Sequence, residues 1–139
     1  MTFQASATAQ GRQFSEQCDL LLTGSGFVLG QHSLRLSTVG VEIDRVATSP
    51  GGREVWFEYK GSIQGRRPGL LRTDTMKKAI ANGALLAAVK DHPRFVVLTS
   101  HKPTGGSARA MLATALSLRI LDDVICIYDP AETRRLATL

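Results

Sequence analysis

Apolar residues recur along this chain with two different periods, and the switches between them mark out its elements. From Gln13 to Leu22 the positions Phe14, Cys18, Leu21 and Leu22 follow a helical spacing, and Gly24 and Gly26 end the run. Residues 1 to about 11 are small and polar and read as a loose, flexible tail. Phe27 to Leu36 alternates roughly, through Val28, Leu34 and Leu36, as a strand does. Val39 to Thr48 is a clearer strand, in which Val39, Val41, Ile43 and, next in the row, Arg45 would share a face. Ser49-Pro50-Gly51-Gly52 has turn composition, and Glu54 to Ser62, rich in aromatic and β-branched residues, forms the next strand.

Ile63 to Arg72 is a basic loop. A helix is expected from Thr73 to Asp91, with Met76, Ile80, Ala84, Leu85 and Val89 as its apolar stripe, Thr73 or Asp74 as cap and Pro93 as stop. Arg94 to Ser100 reads as a buried strand, Ser107 to Leu121 as a second long helix, and Val124 to Tyr128 as a short buried strand. Pro130 to Leu136 adds a final helical turn or two. The order α-β-β-β-α-β-α-β, a hairpin followed by β-α-β units, implies an α/β protein with a mixed central sheet flanked by helices. At 139 residues the chain suits one domain, residues 12–139, behind a tail of residues 1–11.

The hairpin turn decides which residues face each other. A three-residue loop of Pro50, Gly51 and Gly52 pairs Ser49 with Arg53, and counting outward sets Asp44 opposite Glu58. Directly opposed residues hold their Cβ atoms about 4.5–5.5 Å apart on one face. Two carboxylates that close repel unless something positive lies between them, and a divalent cation that prefers oxygen suits the place. Lys60, two residues beyond Glu58, shares that face. Its ammonium can orient a water, help deprotonate it, or stabilise charge on a phosphate. Glu42 alternates onto the face of Asp44 and is expected as an exposed edge charge.

Composition adds a bias toward polyanionic partners: 17 Lys and Arg stand against 12 Asp and Glu, a net charge of +5. The densest basic patch, Arg66, Arg67 and Arg72 with Lys77 and Lys78 on the next helix, follows directly on Lys60 and is expected to hold nucleic-acid phosphates. His32, His92 and His101 read as ordinary surface histidines. Lys102 and Arg109 bracket a glycine-bearing loop that a phosphate could approach. The glycines of Gly24 to Gly30 are out of step for a dinucleotide loop and mark a helix stop. Cys18 and Cys126 sit in apolar stretches and read as buried small hydrophobes in a reducing compartment. No signal peptide and no apolar run of membrane-spanning length is evident, so a cytoplasmic protein without membrane association is expected.

The pattern Glu16 … Asp44 … Glu58-Tyr59-Lys60 resembles that of the PD-(D/E)xK nuclease superfamily. GRQFSEQCDLLLTGSGF is similar to the opening helix of Holliday-junction resolvases and related members, and VEIDRVA and VWFEYKGS are similar to the family's second and third strands. The resemblance covers Gly11 to Leu98. It implies a restriction-endonuclease-like α-β-β-β-α-β core, with Asp44 and Glu58 as ligands of one or two Mg²⁺ ions that Mn²⁺ can replace. By the same resemblance Glu16 is an additional or water-mediated ligand and Lys60 the water-positioning base. The implied activity is metal-dependent endonucleolytic cleavage of DNA, selective for branched or junction structures, by a homodimer working in DNA recombination or repair. Ile43, not proline, precedes Asp44, and the Gln-x-x-x-Tyr motif of RecB-like members is absent, which speaks against a helicase-coupled exonuclease. The alternatives are a catalytically inactive nucleic-acid-binding protein on the same scaffold and, more remotely, an assembly protein.

Overall fold

The computed structural model describes residues 3–61, 69–71 and 73–139. In chain order its elements are α1 (Phe3–Gly24), β1 (Val28–Leu36), β2 (Val41–Thr48), β3 (Glu54–Lys60), α2 (Thr73–Leu85), β4 (Arg94–Thr99), α3 (Gly106–Ser117), β5 (Asp123–Cys126) and α4 (Pro130–Thr133). Short 3-10 turns occupy Gly69–Leu71, Leu86–Ala88 and Arg134–Thr138. The strands lie in the order β1-β2-β3-β4-β5, antiparallel from β1 to β3 and parallel from β3 to β5. This is the α/β architecture with a mixed sheet that the alternation of periods implies.

Both faces of the sheet are covered at its centre, though not at the edge strand β1, and β4 shows how the sequence arranges it. Phe95 and Val97 enter a core shared with Met76, Ala79, Leu86, Leu112 and Ala115, beneath α2 and α3. Val96 and Leu98, the alternate residues, enter a second core with Phe14, Cys18 and Leu22 of α1 and with Leu136 and Leu139. A strand covered on both sides reads as a continuous apolar run, which is what RFVVLT is.

Four boundaries differ from the sequence expectation. The expected tail is helical from Phe3 onward. Its Ala and Gln residues have high helix propensity but supply no apolar stripe for a periodicity reading to find. The α2 helix ends at Leu85 rather than Asp91, and α3 ends at Ser117 rather than Leu121. Leu85 of the expected stripe is exposed, while Leu86 in the 3-10 turn after α2 and Leu121 beyond α3 are fully buried, so the helical period fails at both helix ends although burial continues. β5 likewise ends at Cys126, short of Tyr128.

The β2–β3 turn forms as the composition predicts. Ser49 N–H donates to Arg53 O at 2.8 Å, Gly52 N–H donates to Ser49 O at 2.8 Å, and Gly52 adopts φ of 84°. The ladder then runs Thr48–Glu54, Ala47–Val55, Val46–Trp56, Arg45–Phe57. The ladder ends there, one pair short of the Asp44–Glu58 opposition that the turn count predicts.

β2 departs from a simple alternation. Val41 and Ile43 belong to the core under α2 and α3, whereas Ala47, of the same parity, belongs to the core under α1. Arg45 turns toward α1 as well, instead of joining the row of Val41 and Ile43. The strand therefore changes layer beside Asp44. The cause lies in its neighbour: the β1–β2 register shifts between Leu29 and His32, and a bulge there raises the local twist.

Candidate functional site

Asp44 sits where the β2–β3 ladder stops. Beyond the Arg45–Phe57 pair, Tyr59 N–H donates to Asp44 Oδ2 at 2.8 Å, so a side-chain carboxylate takes the place of the next backbone acceptor. β3 meanwhile remains paired with β4 through Lys60–Thr99. Burial holds the Asp44 carboxyl above its ordinary range; the Tyr59 amide and Lys60 pull against that, and Glu42 adds to it. Glu42 itself is exposed, as expected.

Glu58 is buried, with 3% of its surface accessible. Oε1 accepts from Asn82 Nδ2 at 2.6 Å and lies 3.5 Å from Lys60 Nζ. Oε2 is buried without a hydrogen-bond partner among the described residues. Burial raises the Glu58 pKa; Lys60 and Asn82 act against it, and Asp44 adds to it. An ionised carboxylate with one oxygen unserved in such a place is costly, since an unpaired buried acceptor loses about 1–3 kcal/mol, and more if charged. Asn82 arrives from α2, which packs closely at the next residue: a Cβ on Gly83 would collide with the backbone carbonyl of Ile120. The sequence reading missed Asn82. No spacing rule links residue 82 to a strand at 58; only the packing of α2 on the sheet does.

The remaining acid of the expected set does not join this pair. Phe14, Cys18 and Leu22 form the inward stripe of α1. With 3.6 residues per turn, Glu16 points roughly 160° away from the middle of that stripe, and it is exposed. Among the described residues no group of three or more His, Cys, Asp or Glu side chains converges to hold a metal ion. The α1 acid that reaches the sheet is Asp19. Its Oδ2 accepts from Arg45 Nη2 at 2.7 Å, and its Oδ1 from Arg45 Nε at 3.1 Å and from the Tyr59 hydroxyl at 2.6 Å. Burial and then Asp19 push the Tyr59 hydroxyl pKa far up, so it stays a proton donor. A cavity of about 530 Å³ opens here, lined by Asp19, His32, Asp44, Arg45 and Tyr59 among others. Asp44 thus borders this cavity and Glu58, enclosed beneath α2, is not in its lining, yet the two carboxylates lie near enough that Asp44 raises the Glu58 pKa and Lys60 lowers both. Gly61, also in the lining, lies flat against the Phe14 ring, where a Cβ would come within 2.5–2.7 Å of three ring carbons.

Of the basic residues expected to face phosphates, Lys77 and Lys78 are exposed on α2, and Arg66, Arg67 and Arg72 lie outside the described residues. Lys102 is committed within the fold, donating to Val124 O at 3.3 Å and pairing with Glu132 at 3.1 Å. Arg109 is exposed and donates to Thr104 O at 3.3 Å. Two of the three histidines are more than surface residues. His92 is half-buried and stacks on Trp56 with centroids 6.3 Å apart, and half-buried His101 hydrogen-bonds Ser100 Oγ through Nδ1 at 2.9 Å. Both cysteines are free; Cys18 is buried and Cys126 partly so. Among the described residues no helix is long and apolar enough to cross a membrane.

No family model matches the chain, and no curated protein does. Among solved structures, a complex of EndoMS with double-stranded DNA is similar to it at 15% identity and a TM-score of 0.49. The match covers 79% of this chain, which spans 42% of the length of that one.

Proposed function

We propose that this chain is a divalent-cation-dependent nuclease of restriction-endonuclease-like fold that hydrolyses DNA phosphodiesters at Asp44, Glu58 and Lys60. The observation that carries the reading is Glu58 Oε2: a buried acceptor without a partner among the described residues, on a carboxylate 3.5 Å from Lys60 and near enough to Asp44 for that carboxylate to raise its pKa. The donor set fits Mg²⁺, which is commonly held by one or two carboxylates and completes its octahedron with water and phosphate oxygens. Bound there, the ion would supply acidification of a water and neutralisation of charge on the phosphate.

The chain's own residues do the rest. Tyr59 N–H holds Asp44, and Asn82 holds Glu58. Lys60, partly exposed beside Glu58, orients the attacking water or steadies charge on the phosphate. Lys77 and Lys78, on the helix that carries Asn82, meet phosphates flanking the scissile bond. Cutting both strands of a duplex calls for two such sites, hence two copies of the chain.

The test is a panel of linear, nicked, forked and four-way DNA substrates incubated with Mg²⁺ and with EDTA. Cleavage of at least one substrate, abolished by EDTA and by Lys60→Ala, is expected; the four-way and forked members report on junction selectivity. Metal-independent binding without cleavage would instead support the second reading, a non-catalytic nucleic-acid-binding protein. One observation favours that reading: Asp44 and Glu58 have no third metal-ligating side chain beside them among the described residues.

A further inference from the structure

Four hydrogen bonds run from α1 through β2 and β3 to Asp44, and a fifth ties Arg45 to β1. Asp19 accepts two from Arg45 and one from the Tyr59 hydroxyl. Arg45 Nη1 donates to Gly30 O at 2.8 Å, at the β1 bulge, and Tyr59 N–H donates to Asp44 Oδ2. Arg45 adjoins Asp44 in β2, and Tyr59 stands between Glu58 and Lys60 in β3. Both oxygens of Asp19 are engaged, so it is placed to brace other groups and not to ligate.

The location of this network is informative. Side chains of Arg45 and Asp19 are 16% and 26% exposed, and an ion pair withdrawn that far from water contributes little net stability compared with apolar packing. It stands where the β2–β3 ladder has ended: β1 still pairs with Ile43 and Arg45 on either side of Asp44, but toward β3 its carboxylate is held by the Tyr59 amide instead of a backbone pair. We propose that Asp19, gripping Arg45 and Tyr59, is a positioning residue that orients the Asp44 carboxylate toward a divalent cation. This rests on the reading of Asp44 and Glu58 as a cation site. It assigns to α1 a supporting role at residue 19 where the motif resemblance points to a ligand at residue 16.

The experiment measures Mn²⁺ binding to the purified protein by electron paramagnetic resonance, and the Mg²⁺ dependence of DNA cleavage, in the wild type, Tyr59→Phe and Asp19→Asn. Circular dichroism and thermal melting report folding. Tyr59→Phe keeps the ring and removes only the hydroxyl, so it decides the matter should Asp19→Asn fold poorly. Folded variants are expected to bind Mn²⁺ about 10-fold or more weakly, the range seen when a group supporting a metal ligand is lost. Cleavage should recover at high Mg²⁺, with the half-saturating concentration raised. Variants that melt earlier yet bind Mn²⁺ as the wild type does would reduce the network to a structural brace and overturn the proposal. Absence of Mn²⁺ binding by the wild type would overturn the cation reading itself.

Discussion

Glu58 concentrates the unusual physics of this molecule in one side chain. It is enclosed, its pKa pushed up by burial, and among the described residues it is held on one oxygen only. Asn82→Ala removes the 2.6 Å donor and should destabilise the fold by about 1–3 kcal/mol, measured by urea unfolding, with loss of cleavage alongside. The pH dependence follows from the direction of the shift. With a folded pKa above its usual 4.5, Glu58 holds more proton in the folded than in the unfolded protein between those two values. Stability contributed by this group therefore falls as pH rises through that window. Glu58→Gln, which keeps the shape and drops the charge, should be more stable than the wild type at pH 7 and lose that advantage at about pH 4 and below. A variant less stable than the wild type at both pH values would contradict this account. Mg²⁺ should raise the melting temperature of the wild type and leave that of Glu58→Gln unchanged.

At the scale of elements, the site depends on how α1 and α2 press onto the ends of β2 and β3. Gly61 is where β3 leaves the sheet under the Phe14 ring. Gly61→Ala forces the ring or the strand end to shift, at a cost of about 1–3 kcal/mol by the usual penalty for overpacking, which chemical denaturation will read. Much of this level was legible in the sequence. Turn chemistry at Pro50, Gly51 and Gly52 set the β2–β3 register as far as Arg45–Phe57, one pair short of Asp44 and Glu58, and the period-two rule put Lys60 beside Glu58. Asn82 and Asp19 were not legible, because each reaches the site across more than 20 residues of chain through helix-on-sheet packing, which no local period encodes. Glu16 was favoured on motif resemblance alone; the helical phase set by Phe14, Cys18 and Leu22 already turns it outward. The layer change in β2 was hidden for a related reason, since it follows from the bulge in a different strand.

The whole molecule carries a net charge of +5, with Lys77 and Lys78 exposed on the helix that anchors Glu58. Affinity for DNA should fall linearly in log–log form with salt, and the Lys77→Ala, Lys78→Ala double variant should lower that slope by roughly 1 for each lysine that meets a phosphate. An unchanged slope would move the DNA path away from α2. The most direct test of the central claim is the rate of plasmid nicking at saturating Mg²⁺ by the wild type and by a correctly folded Lys60→Ala. The account predicts cation-dependent nicking that the substitution slows by about 10²–10⁴-fold, the scale of a lost proton-transfer or water-orienting group. Equal rates in the two proteins, or no product with any divalent cation, would contradict it.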